Sequence, residues 1–331
     1  MNKIQSKAME LIKNDLRLIY TIFVNTNIVS PSYCVAFMPY MGMIIDGTED
    51  WIRSYNNSNK DKLEIPLFTK EEQQYYEAMR NSVKMFENDL DVVYEMFQEK
   101  YLKSDAYFSS LCKPIAKTLH LYDIFGVFKI NGEYCDNTIL DSCYAPFYEY
   151  NKDNYEFYKQ MAVITGKYLS CFNVEEVYPI KTDYVFSISD YGGFVKSPVG
   201  NEFSCRFLLF TIYCQINFII KCINDFIESE ISTKLRLSYI LYYYLLKILP
   251  DINTKYNCDF KISDKYNSDI FRNAMAHYKL GVLLKEDEII ETDIMFGLTQ
   301  KCFGTEYITV KDFIIEELKK LSNDIKDYLK I

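Results

Sequence analysis

Apolar residues recur at helical spacing from the start of the chain. Ile4, Ala8, Leu11, Ile12, Ile19 and Phe23 alternate with Lys3, Lys7, Glu10, Lys13 and Asp15, which predicts an amphipathic N-terminal helix. Residues 30–68 break the pattern. Pro31, Pro39, Pro66 and the polar run at 54–59 predict irregular chain there. The clearest helix then opens at Thr69-Lys70-Glu71-Glu72, a capping box in which the Thr oxygen and the Glu carboxylate satisfy each other's free backbone donors. It continues through Tyr76, Met79, Val83, Phe86, Leu90, Val93, Phe97 and Tyr101, a stripe that must pack on another element. Further helices are expected at about 105–121 and about 153–172. Between them, Phe128 to Tyr134 alternates around Asn131-Gly132, the preferred pair for a tight hairpin turn; residues 176–196, after both, are also strand-like.

From Glu202 onward the pattern is helical again, over about 202–227, 233–249, 267–283 and 308–330. The second of these is apolar almost all round (Leu235, Leu237, Tyr239, Ile240, Leu241, Tyr243) and should be central. The last is amphipathic through Val310, Ile314, Leu318, Leu321 and Ile325. The expected fold class is therefore mostly α: a C-terminal four-helix bundle over 201–331, and an N-terminal helical region over 1–200 carrying small β-hairpin elements.

Composition narrows the function classes. The chain has 331 residues, 49% hydrophobic and 25% charged, which suits a globular protein with one large core or two ordinary ones. A formal charge of −9 argues against a broad, sequence-independent nucleic-acid coat, though not against a local basic cleft. The ten cysteines lie partly inside apolar runs and read as free core thiols in a reducing compartment. With two histidines and no paired CxxC spacing, no structural metal site and no cofactor is expected. The longest apolar run, Phe207 to Ile220, is short for a membrane span and contains Gln215 and Asn217, so a buried core helix and a cytoplasmic, non-membrane protein are expected.

The candidate chemistry sits in Arg272-Asn273-Ala274-Met275-Ala276-His277. A chain with six arginines and two histidines places one of each in this window, with an amide between them. Ser268 or Asp269 would cap the helix that carries it. On an ideal helix Asn273, His277 and Gly281 share one face, so the Asn amide can orient the imidazole and the Gly admits a neighbouring chain. Arg272 lies about 140° around and about 7.5 Å along from His277, so the pair needs a second surface to form one cleft. An imidazole that moves a proton near neutral pH, beside a guanidinium fork for phosphate oxygens, suits phosphodiester chemistry. In RNA the 2′-hydroxyl is an internal nucleophile, so cleavage needs neither a protein nucleophile nor a metal.

Arg272-Asn273-x-x-x-His277 in a C-terminal helical bundle resembles the R-x4-6-H motif of the HEPN superfamily. The resemblance implies a metal-independent endoribonuclease acting on RNA, with Arg272 and His277 catalytic and Asn273 supporting them. It also implies a homodimer whose two motifs line a composite active site, and a role as a toxin or abortive-infection, anti-phage effector with an antitoxin or trigger partner. Tyr278 directly follows the His, one position short of the Tyr that a partner enzyme modifies in one HEPN subgroup, and is kept as a supporting residue. Glu230 and Lys234 have the E-x3-K spacing found upstream in some defence-type members, and also that of an ordinary i,i+4 surface pair. Two other readings stand beside the nuclease: a non-catalytic HEPN-like module whose cleft binds a nucleotide or partner, and a helical adaptor or regulator with the motif in its core. Arg80-Asn81 repeats the Arg-Asn dipeptide without a following His and reads as a solvated helix face. His120 lacks suitable polar companions.

Overall fold

Hydrophobic spacing becomes helix over most of the chain. A computed structural model describes residues 1–25, 30–145, 155–193, 195–200 and 202–331. The elements run α1 (Lys3–Val24), α2 (Pro31–Ser58), α3 (Lys70–Val83), α4 (Leu90–Ser110), α5 (Pro114–Thr118), β1 (Asp123–Ile130), β2 (Glu133–Asn137), α6 (Thr138–Tyr144), α7 (Tyr155–Cys171), β3 (Phe186–Gly192), α8 (Cys205–Asn217), α9 (Ser232–Tyr256), α10 (Asp269–His277), α11 (Leu298–Phe303) and α12 (Tyr307–Leu329). The protein is mostly α, with one small antiparallel sheet ordered β2-β1-β3. The expected hairpin joins β1 to β2, and both turn residues, Asn131 and Gly132, take positive φ, as this turn type requires.

The largest departure is α2. Residues 30–68 were expected to be irregular, yet Pro31 to Ser58 form a helix that Ser30 caps. Pro31 sits at the first position, where its missing N–H is harmless. Pro39 lies inside the helix, where it should cost about 3 kcal/mol. Burial offsets that cost, because every residue from 36 to 45 is buried. This helix is hydrophobic nearly all round in its middle, so helical periodicity is masked there.

α2 is a hub, packed on α1, α3 and α10. Two glycines let it approach its neighbours. A Cβ on Gly42 would strike the Met79 side chain on α3, and one on Gly47 would strike the Ala276 carbonyl on α10. α10 is thereby held between α2 and α9. α9 is as central as its pattern implied, contacting α1, α4, α10 and α12, and one contiguous core runs from α1 to α12.

Other helix boundaries also differ from expectation. The long stripe from Thr69 to Tyr101 is two helices, separated by a short 3₁₀ turn at Met85–Glu87 and restarted at Asp89. The expected helix at 105–121 is the end of α4 followed by α5, because Pro114 starts a new helix. The expected helix at 267–283 stops at His277, where Tyr278 turns left-handed with φ 53°. The apolar segment Cys205–Asp225, which continues α8 through π-helical turns, is long and apolar enough to cross a membrane, yet 89% of its most apolar window is buried inside the protein. That is the environment of a core helix.

Candidate functional site

The motif helix is positioned by hydrogen bonds at both ends. Ser268 Oγ accepts from the Phe271 N–H at 3.2 Å, and the Ser268 N–H donates to the Tyr239 hydroxyl at 3.0 Å, tying the start of α10 to α9. At the other end, fully buried Arg236 donates from Nε to the Met275 carbonyl at 3.0 Å. Arg236 also pairs with Asp15 of α1, which accepts at 2.6 Å from Thr233 Oγ1 and at 2.6 Å from the Tyr278 hydroxyl. Buried charge is tolerable here because each group is paired and hydrogen-bonded.

The structure brings Arg272 and His277 to one charged surface, and the second surface comes from this chain's own α2 and α3. Arg272 Nη2 donates to Glu87 Oε1 at 2.9 Å, and its guanidinium lies 5.1 Å from the Tyr243 ring. His277 Nδ1 lies 3.4 Å from Asp50 Oδ2 on α2, without hydrogen-bond geometry. Arg80 of α3 pairs through Nε with Asp46 of α2 at 2.9 Å, and its charge acts on His277. Lys84 lies within electrostatic reach of Arg80, Arg272 and His277, and makes no ion pair with a described residue. Arg80, Lys84 and Glu87 therefore form a row along α3 and the 3₁₀ turn beside α10, bridging the two motif residues.

Neither motif side chain is sealed: Arg272 is 13% exposed and His277 17%. An adaptor with the motif in its core would bury them fully. Burial, followed by the charge of Arg80, pushes the His277 pKa down to about 4, which the opposing pull of Asp50 does not offset. The imidazole is thus neutral at pH 7. With Nδ1 turned to the Asp50 carboxylate, Nε2 is the nitrogen left for an incoming group. Burial, then Arg80 and Arg272, lower the Lys84 pKa from its ordinary value. The nearby carboxylates are already held by cations: Asp46 by Arg80, Asp50 by Lys279 at 3.1 Å and Glu87 by Arg272.

The other expected site residues fall differently. Asn273 is exposed and accepts from Arg272 Nη1 at 2.9 Å, so it braces the guanidinium rather than the imidazole. Gly281 leaves the shared face because α10 has ended before it. Tyr278 is buried and belongs to the Asp15–Arg236 cluster. Glu230 binds Tyr307 at 2.6 Å and Lys311 on α12, while Lys234 is buried on its own helix without a carboxylate partner among the described residues. Neither joins Arg272 and His277. Arg80, expected on a solvated face, faces the site instead. Asp46, Asp50, Lys84 and Glu87 gave no signal because tertiary packing alone brings them there.

No protein-family profile, curated protein or solved structure matches the chain.

Proposed function

We propose that the chain is a metal-independent endoribonuclease of HEPN type. The observation that carries this is a neutral His277, with Nε2 free, set in a row of cations formed by Arg80, Lys84 and Arg272. His277 accepts the proton of an RNA 2′-hydroxyl as its oxygen attacks the adjacent phosphorus. Arg272 and Arg80 hold the phosphate oxygens as charge develops. The bond from phosphorus to the 5′-oxygen breaks, and the Lys84 ammonium supplies the proton that the leaving oxygen takes up. The products are a 2′,3′-cyclic phosphate and a 5′-hydroxyl. Because α2 and α3 supply the second surface, one protomer holds a complete set of these groups.

The resemblance extends the proposal to a toxin or anti-phage effector, whose expression arrests growth. The test is incubation of purified protein with total RNA in excess chelator, beside the His277→Ala and Arg272→Ala variants. Cleavage by the wild type alone, leaving cyclic-phosphate ends, supports the proposal. Equal cleavage by His277→Ala sinks it, and tight RNA binding without cleavage moves the reading to a nucleotide-binding module.

A further inference from the structure

A groove opens beside this site, further along α2, and the reaction above makes no use of it. Its volume is about 410 Å³, within the range of small-molecule sites. Asn2 and Gln5 line it from the start of α1, Trp51, Ser54 and Tyr55 from α2, and residues 278–282 from the segment after α10. Trp51 and Tyr55 stack at 5.6 Å with 25° between their planes. The Trp51 indole N–H and the Tyr55 hydroxyl have no hydrogen-bond partner among the described residues and are not sealed from solvent. Asn2 and Gln5 spend their side-chain oxygens on the α1 capping box, which leaves their amide N–H groups free to donate.

The groove is joined to the candidate site by one residue. Lys279 lines it, and its Nζ lies 3.1 Å from Asp50 Oδ2, the oxygen that faces His277. Lys279 is also the single charged residue of the lining. At 1.5 Å rise per residue, Ser54 lies about 6 Å along α2 from Asp50, a separation on the scale of one nucleotide. The groove is thus an otherwise neutral slot with aromatic walls, free amide and hydroxyl groups, and a cation at the end nearest the phosphate-binding row. Single-stranded RNA is read by aromatic contact and by hydrogen bonds to base edges.

We propose that the groove binds the base of the nucleotide flanking the scissile phosphate. The position of that phosphate rests on the endoribonuclease reading, whereas binding of the base does not require cleavage. Trp51 is the only tryptophan in the chain, so its fluorescence reports on this groove alone. The wild-type protein is titrated with each of the four ribonucleoside 5′-monophosphates and with inorganic phosphate. A saturable change in Trp51 emission is expected with at least one nucleotide and none with phosphate. Ser54→Leu and Gly281→Leu should each weaken that binding at least tenfold. Both positions are exposed, and a Cβ on Gly281 meets only Ile4 Cγ2 at 3.6 Å, so the variants should melt as the wild type does.

The absence of any saturable change, its reproduction by phosphate alone, or wild-type binding by both variants overturns the proposal. A protein that binds nucleotides but leaves RNA intact in chelator keeps the groove and loses the nuclease. One that cleaves RNA without any titration does the reverse. An RNA made abasic at the nucleotide beside a mapped cut separates the strand's own base from a free nucleotide: at least tenfold slower cleavage is expected, and unchanged cleavage overturns the assignment to the strand.

Discussion

Glu87 accepts a hydrogen bond from Arg272 at 2.9 Å, and it reaches that guanidinium only because the apolar stripe breaks between α3 and α4. In the proposed reaction the carboxylate competes with substrate phosphate for the same donor. The pair is partly exposed, at 13% and 38%, so it should contribute under about 1 kcal/mol, a factor of about five at most. Glu87→Gln should therefore raise RNA affinity and kcat/KM by two- to fivefold, measured on a short single-stranded RNA. A fall in kcat would instead make Glu87 the group that aims Arg272.

Arg80 is the nearest test of the His277 environment. Its charge is the largest electrostatic contribution holding the imidazole near pKa 4, second only to burial. Arg80→Ala removes that charge and leaves Asp50 facing the ring, so the His277 pKa should rise toward its ordinary value of about 6.5. The chain has two histidines, so an NMR titration beside a His120→Asn variant assigns both. The acid limb of the cleavage profile should move to higher pH with it, while the maximal rate falls because phosphate has lost a contact. A wild-type His277 that titrates near 6.5 would contradict the burial argument.

Local chemistry made much of this fold legible in advance. The Thr69 capping box, the Asn131-Gly132 turn and the Ser268 cap act through neighbours three residues away or fewer, so sequence order carries them. α2 was hidden because Pro39 argues for a break, whereas the burial that outweighs it depends on packing partners far along the chain. The same distinction divides the site. Arg272 and His277 stand out as scarce residues in one window, but their partners come from α2, α3 and the turn at Glu87. Arg80 was legible as an Arg-Asn dipeptide and not as a neighbour of His277, since no local pattern states which residues of α3 lie within reach of the imidazole.

Arg236 and Asp15 join α9 to α1 beneath the motif helix, and both are buried. Removing Arg236 leaves Asp15 as an unpaired buried charge and the Met275 carbonyl without its donor. Arg236→Met should destabilise the fold by about 3–5 kcal/mol, read from urea denaturation midpoints. Replacing both partners, as Asp15→Leu with Arg236→Met, should recover part of that loss because no charge is stranded. The Arg236 guanidinium also lies 4.1 Å from the Tyr278 ring at the exit of α10. Any active fraction of the single variant should therefore show a lower kcat. If the single variant is as stable as the wild type, this cluster does not anchor α10.

Asp136, buried on β2, and half-buried Asp141 on α6 interact, each with one carboxylate oxygen lacking a hydrogen-bond donor. Burial raises both pKa values, that of Asp141 to about 7, and the charge of Asp141 raises Asp136 further. The folded chain therefore binds more protons here than the unfolded chain, in which both groups titrate near their ordinary value of about 3.9. By linkage, Asp141 withdraws stability as pH rises from about 4 through about 7, and Asp136 acts in the same direction. Asp141→Asn removes one of the two titrations and offers Asp136 an amide donor. The variant should gain thermal stability relative to the wild type at pH 8, and the gain should shrink at pH 5, where the wild-type pair retains more of its protons. Thermal melts of both proteins at the two pH values measure this difference directly. A variant that is less stable than the wild type at pH 8, with a gap that closes at pH 5, would mean that ionised Asp141 is stabilised by its surroundings.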